Sequence, residues 1–165
     1  MGTALRYALV ALVLGLGALL HASHALAFGS GDVAIVADIL EELSPSRGEA
    51  IYYDGEAADD WYEFDAEQDG LIAAAGFSRE TWREAYDNTL KGLIALIPPE
   101  EFEAIHDGLG ERLSSIQGLS EDEKRAMVDD MRKLVDGLRA LRSEGAAHAD
   151  AVQPFAARLR NLANF

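Results

Sequence analysis

From Asp32 onward the apolar positions recur every three or four residues, the period of a helix with one buried face, and no stretch alternates as a half-buried strand would. Val33, Ile35, Val36, Ile39, Leu40 and Leu43 make the first stripe, with Asp32 as its predicted N-cap and Ser44-Pro45-Ser46-Arg47-Gly48 as its predicted stop. A second helix is predicted from about Ala58 to Ala75, carrying Trp61, Phe64, Gln68, Leu71, Ile72 and Ala75 on one face and closed by Gly76. Ser78 then caps a helix to Ile97 with Trp82, Tyr86, Leu90, Leu93, Ile94 and Ile97 inward, and Pro98-Pro99 stops it.

The next stripe is Phe102, Ile105, Leu109, Leu113 and Ile116, ending at Gly118. Ser120 followed by Glu123 is a capping box for a long helix to about Arg142, with Met127, Met131, Leu134, Val135, Leu138 and Leu141 as its apolar positions. Glu121–Arg125 and Asp129–Lys133 are its predicted i,i+4 pairs. A last helix begins near Asp150, takes Pro154 in its first turn or so, and buries Val152, Phe155, Leu159 and Leu162. The fold class this predicts is all-α, a compact bundle or hairpin array of five to six helices. Its core is drawn from Trp82, Tyr86, Leu90, Leu93, Phe102, Ile105, Leu109, Met131, Leu134, Leu138, Phe155 and Leu159.

The first 27 residues stand apart from this pattern. Arg6 is followed by an uncharged apolar run, Tyr7 to Leu20, and then by the small-residue site Ala25-Leu26-Ala27. A run of 14 residues is shorter than the roughly 20 needed to cross a bilayer, so residues 1–27 read as a cleaved signal peptide. The mature domain is then 28–165, a single helical unit with no membrane span, periplasmic or secreted in a bacterial-type envelope. The chain has no Cys, so an exported domain of this kind rests on its core without disulfides.

Charge narrows the partners. The whole chain carries 14 basic and 29 acidic residues, a net of -15, which repels phosphate and argues against a nucleic-acid ligand. The acids concentrate in residues 48–78, with nine Asp or Glu, no Lys or Arg, and six aromatics. A purely solvating acidic tract is poor in aromatics, so Asp54, Glu56, Asp59, Asp60, Trp61 and Tyr62 are the candidate surface for an unknown protein partner or a cationic ligand.

Within that segment Phe64 to Ile72 resembles the first two-thirds of an EF-hand loop. Asp65, Glu67 and Asp69 fall at ligand positions 1, 3 and 5, Gly70 at the turn position 6, and Ile72 at position 8. Position 12, where the bidentate Glu belongs, is Gly76, so a calcium or other divalent cation held there is held weakly. Leu119-Ser120-Glu121-Asp122-Glu123 is similar to the Leu-Thr-x-x-Gln motif of small periplasmic stress chaperones. It differs at both the Thr and the Gln, and five residues assign no family.

Catalytic patterns are sparse. Beyond residue 27 the histidines, His106 and His148, fall in separate predicted helices; the serines sit mostly at caps and turns, and neither a Gly-x-Ser-x-Gly elbow nor a Gly-x-Gly-x-x-Gly loop occurs. The leading reading is therefore a small exported, non-enzymatic binding or accessory protein acting through protein contacts, without a cofactor. Second comes the weak calcium or divalent-cation binder at 65–76, and third an unrecognised enzyme.

Overall fold

A computed structural model describes residues 28–104, 118 and 120–163. The predicted signal peptide, 1–27, and the predicted stripe residues Ile105, Leu109, Leu113 and Ile116 lie outside the described residues. Among the described residues the fold is all-helical, with seven α-helices and no strand. They are α1 Ser30–Arg47, α2 Ala57–Ala66, α3 Leu71–Ala74, α4 Arg79–Ala95, α5 Glu121–Gly145, α6 Ala149–Val152 and α7 Ala156–Ala163. Residues 99–104 are also helical, and the 3-10 turn Gln153–Phe155 joins α6 to α7. None of the described helices is long and apolar enough to cross a membrane.

The predicted boundaries shift where backbone geometry overrides them. α1 starts at Ser30, and Asp32 is an inner residue whose carboxylate reaches back to the Gly29 N–H at 2.9 Å. Pro45 does not end α1, because a proline in the last turn removes a single internal bond; Gly48, at φ 71°, ends it by donating to the Ser44 carbonyl at 2.8 Å. The helix predicted from Ala58 to Ala75 is two helices. Gly70 at φ 66° turns the chain between α2 and α3, so Gln68 and Ala75 are exposed while Trp61 and Ile72 are buried.

Capping boxes form where the sequence places them. The Ser78 hydroxyl accepts from the Thr81 N–H at the head of α4, and the Ser120 hydroxyl from the Glu123 N–H at the head of α5. The Glu123 carboxylate accepts in return from the Ser120 hydroxyl at 2.7 Å and the Ser120 N–H at 2.8 Å, and these two bonds hold it below its ordinary pKa.

The main core joins α1, α2, α4, α6 and α7. Val33, Val36 and Leu40 of α1 meet Trp61 of α2, Trp82, Tyr86 and Leu93 of α4, Val152 of α6 and Leu159 of α7, all fully buried. Two buried polar atoms in this core find backbone partners, Trp82 Nε1 donating to the Ala58 carbonyl at 2.9 Å and the Tyr86 hydroxyl to the Tyr52 carbonyl at 2.6 Å, whereas Trp61 Nε1 is buried with no hydrogen-bond partner. Burial pushes the Tyr86 phenol well above its ordinary pKa. At the far end Arg158 of α7 clamps Glu41 and Asp38 of α1 at 2.6–2.8 Å.

α5 lies outside this cluster and leans on α4. Its inward residue is Val135, whereas Leu134, predicted as core, is 57% exposed, and Met131, Leu138 and Phe155 are only half-buried. Met131, Val135, Leu138 and Leu141 keep the predicted stripe buried or half-buried, and its Met127 and Leu134 edge is exposed. A β-carbon at Gly145 would overlap the Lys91 backbone, and one at Gly92 would stand 2.6 Å from the Val152 side chain. The Glu121 side chain of the predicted Glu121–Arg125 pair lies outside the described residues; the predicted Asp129–Lys133 pair gives way to i,i+3 pairs, and Asp122–Arg125, Asp129–Arg132, Asp130–Lys133 and Asp136–Arg139 stand at 2.7–3.2 Å.

Candidate interaction surfaces

Residues 48–78 collect the chain's own arginines. The Arg47 guanidinium, from the last turn of α1, lies 4.6 Å from the Trp61 ring centroid and 5.6 Å from that of Phe64. Its Nε donates to Glu49 at 2.8 Å and its Nη2 to the Tyr52 hydroxyl at 3.4 Å, while its Nη1 is buried with no hydrogen-bond partner and has the ring faces beside it. The Tyr52 hydroxyl in turn donates to Asp60 at 2.8 Å. From the first turns of α4, Arg79 bonds Glu63 at 3.0 Å and Asp59 at 3.4 Å and sits 5.1 Å over Tyr62; Arg83 bonds Asp59.

The arrangement gives each candidate partner residue a place. Asp59, Asp60 and Tyr62 face cations or hydroxyls of this chain, and Trp61 is fully buried, so these four already have occupants. Asp54 is exposed, and one of its carboxylate oxygens accepts from the N–H groups of Glu56 and Ala57 at 2.8 and 2.7 Å, capping α2. Glu56 is exposed beside it. The composition of the segment is explained by cations that lie just outside it in sequence, at Arg47, Arg79 and Arg83, where a window bounded at 48 and 78 does not count them.

Asp65, Glu67 and Asp69 are not drawn to a common centre. Asp65 is 2% exposed, and its two carboxylate oxygens accept from the Leu71 and Ile72 N–H groups, both at 2.8 Å. The side chain is thus the cap of α3, and Glu67 and Asp69 point out as exposed residues. Among the described residues no group of three or more His, Cys, Asp or Glu side chains is placed to hold a metal ion. The EF-hand-like spacing arises because a turn with an early Asp and a Gly in the left-handed region is also what joins two helices.

Two surfaces remain that the sequence did not single out. On α5, Met127 is 37%, Val128 40% and Leu134 57% exposed, with Met131 half-buried among them. The other is an open groove of about 550 Å³ where the end of α4, the helical residues 99–104, the last turns of α5 and the start of α6 meet. Ala95, Pro99, Phe102 and Ala146 form its apolar walls, with Glu103, Arg139, Arg142 and Ser143 at its polar side. Arg139 is held by Glu103 at 3.4 Å and Asp136 at 3.2 Å, whereas Arg142 lies 5.4 Å over the Phe102 ring.

No protein family, curated protein or solved structure matches this chain.

Proposed function

We propose that this chain is a small exported, non-enzymatic binding or accessory protein of a bacterial-type envelope, acting through protein contacts made by α5. The observation that carries the reading is the exposed apolar face of Met127, Val128 and Leu134, at 37%, 40% and 57%, on a helix packed against the body by its other end. Large side chains left out of the core at neighbouring turns of one helix are a contact surface in waiting. The flanking charges of α5 pair with one another at i,i+3, so the face carries little field of its own and suits an apolar segment of a partner polypeptide. Met127 and Met131 let such a face adapt to more than one sequence.

Asp65 caps α3 and Thr89 donates to the Ala85 carbonyl at 2.7 Å, so both serve the backbone. The experiment is affinity capture from an envelope fraction with the mature wild-type chain and with Met127→Ser/Leu134→Ser. Capture of a defined protein by wild type, lost in the double variant at unchanged melting temperature, is the expected result. Equal capture by both chains would remove α5 from the proposal.

A further inference from the structure

We propose that the groove beside Arg142 binds the carboxylate of a small apolar acid, with the guanidinium gripping the head and the Ala95, Pro99, Phe102 and Ala146 walls covering the tail. The groove's volume, about 550 Å³, falls within the roughly 300–1,000 Å³ of small-molecule sites, and its lining has the usual mixture of apolar walls and a few polar groups.

The charge of the ligand follows from the pairing of the cations. Among the described residues Arg47, Arg79, Arg83, Arg125, Arg132, Arg139 and Arg158 each bond a carboxylate, and Arg160 donates to the Leu96 carbonyl at 2.9 Å. Among the described residues Arg142 bonds neither a carboxylate nor a carbonyl. Its neighbour is the Phe102 ring, whose centroid lies 5.4 Å from the guanidinium carbon, a contact that uses no N–H donor. Glu103 and Asp136 are both engaged by Arg139, so although these four charges sum to zero, Arg142 is the groove's cation with no carboxylate bond among the described residues. The net charge of -15 opposes dianions and polyanions at long range, and a monoanion meets that opposition least. A carboxylate also matches the fork of the guanidinium. Ser143 adds a hydroxyl at the same edge.

This site is separate from the α5 face of the partner contact, and its test shares no residue with that one. The mature chain is titrated with octanoate, octanamide and inorganic phosphate at fixed ionic strength while backbone amide resonances are followed. Octanoate is expected to shift Phe102, Ala146 and Ala149 saturably, with octanamide and phosphate leaving them in place. Arg142→Gln should weaken octanoate binding about ten-fold or more, the loss of one charge-assisted bond, and the half-buried position tolerates the change. Ala146→Phe fills the groove from its open side and should abolish binding with Arg142 intact. Arg132→Gln, elsewhere on α5, should change nothing. The proposal fails if no saturation occurs by 10 mM, if octanamide or phosphate binds as well as octanoate, or if Arg142→Gln and Ala146→Phe bind like wild type.

Discussion

A β-carbon on Gly145 would stand 1.9 Å from the carbonyl oxygen of Lys91 and 2.4 Å from its carbonyl carbon. Backbone meets backbone at that crossing, so no rotamer change relieves the overlap and α5 has to move off α4. The Lys91–Glu144 ion pair at 2.8 Å spans the same crossing. Gly145→Ala gains helix propensity of about 1 kcal/mol but should lose about 1–3 kcal/mol net through the forced separation. Denaturant unfolding measures it, and a neutral or stabilising result would show that the crossing is loose.

Leu93 and Leu134 separate the core from the exposed face. Leu93→Ala, at a fully buried position, should cost about 2–5 kcal/mol. Leu134→Ala, at a position 57% exposed, should stay within about 0.5 kcal/mol. Equal losses at the two positions would mean that α5 turns Leu134 inward.

The sequence carried most of the helical framework because capping and period are local. Ser78 and Ser120 head α4 and α5 as their capping boxes require, and the Trp82, Tyr86, Leu90 and Leu93 stripe is the buried face of α4. What it did not carry depends on other elements. That Leu134 is exposed while Val135 is buried depends on how α5 approaches α4, at a crossing where Gly145 meets the Lys91 backbone. The pairing of Asp59, Glu63 and Asp60 with Arg79, Arg83 and the Arg47–Tyr52 pair is set by how α1, α2 and α4 pack. The role of Asp65 hinges on Gly70 turning the chain back onto its carboxylate, a geometry that the same residues share with a cation loop.

That role has a consequence for calcium. Asp65→Ala leaves the Leu71 and Ile72 N–H groups without their acceptor and should cost about 2–4 kcal/mol. Because both oxygens are engaged, 10 mM calcium should stabilise the wild-type chain no more than NaCl of equal ionic strength does. Stabilisation by calcium beyond NaCl, abolished by Asp69→Asn, would show that Asp65 exchanges its backbone donors for a metal.

The Arg158 clamp makes part of the stability depend on pH. Its bonds to Glu41 hold that carboxyl below its ordinary pKa, against an unfolded value of about 4.3. A lowered folded pKa means that the unfolded state binds the proton first, so the contribution is complete above the unfolded value and is lost as pH falls through the folded one. Arg158→Met keeps the stem over α1 and should cost about 0.5–1 kcal/mol at pH 7, within the range of exposed pairs. The difference between wild type and variant should shrink steadily below about pH 4 in urea unfolding. A difference unchanged at pH 3 would assign the effect to the stem's packing.

The proposed export rests on the leader pattern of residues 1–27, and the start of the domain supplies a physical counterpart. Phe28 is half-buried against the core, its ring edge-on to His148 with centroids 5.1 Å apart, and the next residue, Gly29, receives the Asp32 cap. Cleavage after Ala27 would leave the whole of this contact on the mature side, whereas cleavage a few residues later would remove Phe28 from the His148 ring and Gly29 from its acceptor. Intact mass of protein recovered from a periplasmic or culture-medium fraction should correspond to a chain beginning at Phe28. A mature chain prepared from Ser30 should melt lower, by the loss of one aromatic pair worth about 0.5–1.5 kcal/mol and one cap bond of similar size. Recovery only with membranes, at the mass of the uncut chain, would overturn the export proposal, and equal melting of the two chains would dissociate the cleavage point from the fold.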